Sequence, residues 1–344
     1  MIRAAVCTVA AAAIALLAVS PSTVARADDK KATIGSIDRK NPKINDLIPK
    51  DAQIEVLAAG YKWTEGPLWN KKGGFLLFSD IPNNRIVKWS ENGGASDFLK
   101  PSGYTGKAKF TGPEPGSNGL AYDKNGTLFL CQHGDRRIAK LVDGKFVTVV
   151  DKYMGKRLNS PNDLIFAKNG DLYFTDPPYG LPQQTKDPGR ELDFQGVYRF
   201  SASGKLTLLT KEMTRPNGIG LSPDEKTLYV ANSDPMQAIW KAFPIKADGS
   251  LGPGKTIHDA TTDVAATLGM KGLPDGLKLD AKGNIFATAV NGIYVFSPDF
   301  TFLGRIVTND KTANCAWGDD GSTLYMCTND KLTRVKTSTK GPGW

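Results

Sequence analysis

The sequence predicts an all-β fold, a six-bladed β-propeller closed by an N-terminal strand that pairs into the last blade. Three observations carry this prediction. A two-strand phrase recurs six times along the chain, and its starts lie 53, 44, 55, 58 and 39 residues apart, the length of a four-stranded blade plus variable loops. The last unit is one strand short, and an orphan strand near the start can complete it. The composition agrees, since 36 glycines and 21 prolines in 344 residues, with 40% hydrophobic and 23% charged residues, describe a turn-rich globular chain and exclude disorder and coiled coil.

The N-terminus is read apart from the fold. Ala4 to Val19 is the one long apolar run. It follows Arg3, precedes the A-x-A pattern Ala25-Arg26-Ala27, and is too short for a membrane span. Residues 1–27 are expected to be a cleaved signal peptide, which predicts a periplasmic or secreted protein with no membrane anchor after cleavage. Cys7 lies inside the apolar run and is not placed as a lipidated residue would be. Residues 28–44 read as an N-terminal extension, 45–337 as the propeller and 338–344 as a C-terminal tail.

Each phrase is a polar residue, usually followed by Gly, then a short apolar stretch, a turn with Gly or Asp, and a second apolar run. Blade one starts at Glu65-Gly66 and continues through Gly74 to Phe78; blade two starts at Asn118-Gly119, blade three at Asn162-Asp163, blade four at Asn217-Gly218, blade five at Asp275-Gly276 and blade six at Asn314-Cys315. Alternating third strands follow at Arg85–Trp89, Arg137–Leu141, Gly196–Phe200 and Gly292–Phe296, and fourth strands at Phe146–Val150 and Leu206–Leu209. Blade six stops after Lys331–Val335, so the orphan strand Gln53–Ala58 is expected to pair there. No helical period competes. A long β-sandwich of regular hairpins is the alternative architecture.

Charge and cysteine usage narrow the partners. The formal net charge of +9 is spread without a basic tract interleaved with aromatics, so nucleic acid is not an expected partner. Cleavage would leave Cys131, Cys315 and Cys327, whose spacing fits no zinc pattern and allows one disulfide at most; buried apolar cysteines are expected. Nothing in the sequence fixes the oligomeric state.

In a propeller the first strand of each blade faces the central channel, so the phrase-opening residues Glu65, Asn118, Asn162, Asn217, Asp275 and Asn314 are expected to converge at one mouth. Singly, each is a turn signal. Together they make a ring of hard oxygen donors, suited to Ca²⁺ or a similar divalent ion, and Glu65 with Asp275 would neutralise one such cation. There is no nucleophilic serine motif or phosphate-binding glycine loop, and the chain has only two histidines.

At these residues the sequence resembles the gluconolactonase, regucalcin and senescence-marker-protein family of six-bladed propeller lactonases, in its microbial exported branch. The resemblance rests on TEGPLW at 64–69 with FSDI at 78–81, SPNDL at 160–164 with YFTDPPYG at 173–180, RPNGI at 215–219 and LPDGL at 273–277. It implies a Ca²⁺ or another divalent ion (Zn²⁺, Mn²⁺ or Mg²⁺) held by Glu65, Asn162, Asn217 and Asp275, and hydrolysis of a small-molecule lactone. Asp275 would be the general base, with Asp163 as a second candidate. The stretch CQHGDRRI at 131–138 departs from the animal regucalcin pattern, and its His133 is expected near enough to the mouth to contact substrate or protonate the leaving alkoxide. Asn118 and Asn162 are expected substrate contacts, with Asp176 and Tyr179 shaping the pocket; His258, in an inter-blade segment, is expected to be inert. The loops Tyr104–Pro115 and Gln183–Phe194 should form the pocket wall. Two other readings stay open at this point: a secreted propeller that binds calcium or a sugar ligand without catalysis, and an arylesterase-like hydrolase.

Overall fold

Six antiparallel sheets form as the phrases predict, each phrase folding into the two inner strands of a blade in the computed structural model, which describes Met1 and residues 31–344. The expected signal peptide lies outside the described residues apart from Met1. Blade one is Thr64–Asn70, Phe75–Asp80, Arg85–Ser90 and Gly94–Leu99; blade two is Ser117–Tyr122, Leu128–Gln132, Arg137–Val142 and Lys145–Val150. Blades three to five begin with inner strands Leu164–Phe166, Pro216–Leu221 and Leu277–Leu279, and blade six with Thr312–Gly318. Each inner strand touches those of the two neighbouring blades, and blade six touches blade one, so the ring is closed.

Closure uses the strand the sequence offered. Ile54–Ala59 pairs antiparallel with Lys331–Lys336, and Ile54 faces Val335 across the ladder. The extension is not a loose leader to the fold, however. Thr33–Ile34 adds a further strand outside Ile54–Ala59, and Ser36–Arg39 adds one outside Phe302–Val307 of blade five. Both cover outer edges that would otherwise offer unpaired backbone groups. The tail is also tied down: Thr339 Oγ1 donates to Asp280 Oδ2 (2.7 Å), and Ala281 N donates to Lys340 O (2.8 Å). The propeller therefore begins at about residue 33 and uses the chain to its C-terminal segment.

The core lies between blades. Phe286, Ile293 and Val295 of blade five pack with Trp317, Leu324 and Met326 of blade six, and each other blade pair has a similar seam. Each such side chain contributes roughly 1.5–3 kcal/mol by leaving water. Cys131, Cys315 and Cys327 are free and buried in these seams, where burial pushes the Cys315 thiol up to about 12. The short helix Thr261–Ala266 was not expected from the sequence. At six residues with one buried position, Val264, it is too brief to show a helical period.

Candidate active site

At one mouth the channel widens into a cavity of about 390 Å³. Five of the six phrase-opening residues line it: Glu65, Asn118, Asn162, Asn217 and Asp275. The reason they face inward is local. The ladder is interrupted by a bulge between Glu65 and Leu68, between Ser117 and Leu120, and between Pro216 and Ile219, while in blades three and five pairing starts only after the polar residue. A bulge re-aims a side chain out of the alternation, here into the cavity.

The glycine after the polar residue has a different purpose from the turn it suggests in isolation. A Cβ on Gly66 would lie 2.1 Å from Asn118 O, and one on Gly218 would lie 2.1 Å from Asp275 O. Only glycine lets consecutive inner strands approach this closely. Hydroxyls on the second strands then latch one blade to the next: Ser79 Oγ donates to Asn118 O (2.8 Å), Thr175 Oγ1 to Asn217 O (2.7 Å), Thr288 Oγ1 to Ala313 O (3.1 Å), and Ser233 Oγ to Pro274 O. These four residues recur at one offset in the second strands, a signal present in the sequence but not read there.

Electrostatically the cavity is short of positive charge. Burial pushes the Glu65 carboxyl up to about 8; the Asp163 charge adds to this, and the Gly66 N–H, 2.7 Å from Oε2, opposes it. Asp275 is raised well above its usual range, by burial first and then by Glu65, Asp163 and Glu114. Two carboxylates so placed cannot both ionise unaided; a proton or a cation must sit between them. Three buried oxygens, Asn118 Oδ1, Asn217 Oδ1 and Asp275 Oδ1, have no hydrogen-bond partner. Asn217 is held with that oxygen free, because its Nδ2 donates to Ser233 Oγ at 3.0 Å. Among the described residues, no three His, Cys, Asp or Glu side chains cluster as a metal site. A cation here must be held by two carboxylates plus carboxamides, the hard-oxygen donor set that suits Ca²⁺ and similar ions.

The other expected site residues are placed as follows. Tyr179 lines the cavity, and burial, with Asp275 adding, raises its phenol. Asp163 lies just off the cavity: its Oδ1 accepts from Leu164 N at 2.9 Å, and its Oδ2 stands 3.5 Å from Asn314 Nδ2 and 3.9 Å from Lys278 Nζ. Asn314 is the sixth phrase-opener and does not line the cavity; its Oδ1 accepts from Cys315 N (2.9 Å). Asp176 does not line it either. It is wholly buried and anchors the preceding loop, accepting from Asn159 N at 2.8 Å, and burial pushes its carboxyl up to about 7. His133 is also wholly buried and not part of the lining; its Nδ1 stands 2.9 Å from Oε2 of Glu114, which does line the cavity. His258 sits on the outer strand Lys255–Asp259 of blade four, stacked on Phe302, and not in a connecting segment.

The lining also contains residues that sequence reasoning missed, among them Trp63, Glu114, Gln184, Ser233, Leu273 and Lys311. Glu114 and Gln184 come from the two loops expected to form the wall.

The family described as SMP-30/Gluconolactonase/LRE-like region matches residues 63–330, which contain all five ring residues. This chain belongs to that family. Among SMP-30/gluconolactonase/LRE-like proteins it is 42% identical to a gluconolactonase of Zymomonas mobilis over 90% of this chain and 88% of that one. A solved gluconolactonase from Xanthomonas campestris matches with a TM-score of 0.76 and 30% identity, over 89% of this chain and 96% of the other. A calcium-binding regucalcin from Agrobacterium tumefaciens matches with a TM-score of 0.64 over 83% and 94%, and at 18% identity it shows the shared propeller fold alone.

Proposed function

We propose that this protein hydrolyses a sugar lactone, such as gluconolactone, to its hydroxy acid at the carboxylate mouth, with a divalent cation, Ca²⁺ first and Zn²⁺, Mn²⁺ or Mg²⁺ as the other candidates. The enzyme class, a lactonase and hence a hydrolase of carboxylic esters, accompanies the family and the 42% identity to a gluconolactonase. The observation that carries the cation is the set of buried, unpartnered oxygens Asn118 Oδ1, Asn217 Oδ1 and Asp275 Oδ1, with the Glu65 and Asp275 carboxyls both raised first by burial.

Glu65, Asn217 and Asp275, with Asn162 beside them, would hold the ion. When bound, a divalent ion supplies polarisation of the lactone carbonyl and charge to offset its developing oxyanion. Asp275 is assigned as the base that takes the proton of the attacking water, because its Oδ1 faces no donor and its carboxyl has a raised affinity for protons. Asp163 is the second candidate, but its contacts with Leu164 N and Lys278 favour a supporting role. Asn118 Oδ1 and the Glu114 carboxylate are acceptors for sugar hydroxyls; Tyr179 and Trp63 narrow the mouth. His133 acts on the cavity through Glu114.

The test is acid release from a panel of five- and six-membered aldonolactones by chelated protein, then after readdition of single metals. At least one lactone should be hydrolysed faster than p-nitrophenyl acetate, and only with metal. Turnover at the spontaneous rate for every lactone and metal would leave a binding propeller. Export is proposed from residues 1–27, and N-terminal sequencing of the mature protein should begin at Asp28.

A further inference from the structure

The inner strands have two ends, and the one away from the ring builds a second site. Four residues beyond Glu65, Asn118 and Asn162 stand Trp69, Tyr122 and Phe166, about 13 Å further along at about 3.3 Å per residue. With Trp317 of blade six and Trp344 of the tail they surround a hollow of about 1050 Å³, larger than the acidic cavity.

Its chemistry is the reverse of the first. The aromatic residues offer faces and edges, and two of their polar tips are engaged: the Tyr122 hydroxyl accepts from Asn70 Nδ2 (2.8 Å), and Trp317 Nε1 donates to Leu279 O (2.6 Å). Leu68, Leu120, Leu164 and Ile165 complete an apolar floor. Four ammonium groups belong to the lining, Lys71, Lys72, Lys124 and Lys278, against the single side-chain carboxylate of Asp123. Asp123 is committed to its own turn, accepting from Asn125 N (2.9 Å) and Thr127 N (2.8 Å). Lys71 is also engaged, donating to Gly343 O (2.7 Å) with its Nζ 3.8 Å over the Trp344 ring, and Lys278 faces Asp163. Lys72 and Lys124 have no hydrogen-bond or ion-pair partner among the described residues.

We propose that this far mouth is a binding site for an anionic amphiphile, an aromatic or medium-chain acyl carboxylate whose apolar body covers the floor while its acid group meets Lys72 and Lys124. Charge complementarity selects the anion, and the aromatic faces with Leu68, Leu120, Leu164 and Ile165 select an apolar body. The site is separate from the lactone cavity, with which it shares no lining residue.

The probe is 8-anilinonaphthalene-1-sulfonate, titrated into the full mature chain and followed by fluorescence, with decanoate and decanol as competitors. One saturable site is expected, displaced by decanoate at least roughly tenfold better than by decanol. The surface double variant Lys72→Glu/Lys124→Glu should weaken the probe by roughly tenfold or more, and Trp344→Ala by several-fold, while lactone turnover stays unchanged in both. The assignment is overturned by an absence of saturable binding, by equal competition from decanol, by an unaltered affinity in the double variant, or by displacement with gluconate, which would place the probe in the acidic cavity.

Discussion

The two mouths of the channel are built from opposite ends of the same inner strands, yet one gathers acids and amides while the other gathers aromatics and lysines. Glu65 and Trp69 are four residues apart on one strand; so are Asn118 and Tyr122. At the acidic end, bulges turn a polar residue inward and the next glycine lets neighbouring strands close around it. At the basic end Trp69, Tyr122, Phe166 and Trp317 surround the larger hollow. Lys278 belongs to the far lining, but its Nζ stands 3.9 Å from Asp163 Oδ2 near the acidic ring. The proposed cation chemistry is assigned to the first mouth, and the proposed recognition of an anion to the second.

The largest effect that sharpens this comparison is on turnover. Asp275→Asn, assayed at saturating metal, should keep kcat lower by roughly a hundredfold or more, the scale of losing a positioned base, while probe binding at the far mouth stays as in the wild type. Near-normal kcat once metal is restored would move the base to Asp163 or to the Glu114–His133 pair.

Next in size is metal affinity. Glu65→Gln removes one of two compensating charges and should weaken calorimetric cation binding by roughly tenfold or more. Equal affinity in this variant and the wild type would move the ion away from the ring.

The third expectation concerns pH. The raised Glu65 carboxyl, about 8 against the usual 4.5, means that the metal-free folded state binds more protons than the unfolded chain between those values. The contribution of Glu65 to the stability of chelated protein is therefore full below about 4.5 and should be lost as pH rises through about 8. Metal-loaded protein should lose less over the same window, and parallel melting curves with and without metal would break the argument. The smallest effect is expected from Asp163→Asn, less than roughly tenfold in kcat, because its contacts with Leu164 N and Lys278 keep it from the lining.

The sequence made the acidic end of this molecule readable because its pattern repeats: a polar residue opens each phrase at blade spacing, six times, and glycine follows it in four of them. The propeller, its closing strand and five of the ring residues follow from that periodicity. Asn314 departs from the others in staying out of the lining, its side chain accepting from the Cys315 N–H. Asp176 was read as a pocket residue from its place in YFTDPPYG, but a buried acid at a strand end is needed there to hold the Asn159 amide. Glu114 and Gln184 come from loops without a repeat, where only the tertiary fold says which side chain turns inward. The far mouth left no motif, since its aromatics look like ordinary strand residues until the strand ends are seen together.

The most direct test of the central claim, that Glu65 and Asp275 share one site for one divalent ion, is proton release on metal binding, measured by calorimetry at pH 7 in buffers of different ionisation enthalpy. Buried carboxyls that hold protons at pH 7 must give them up when a cation takes their place, so the wild type should release at least about one proton per ion and Asp275→Asn fewer, since Glu65 alone remains to be deprotonated. Metal binding without proton release in the wild type, or equal release in both proteins, would contradict the shared site.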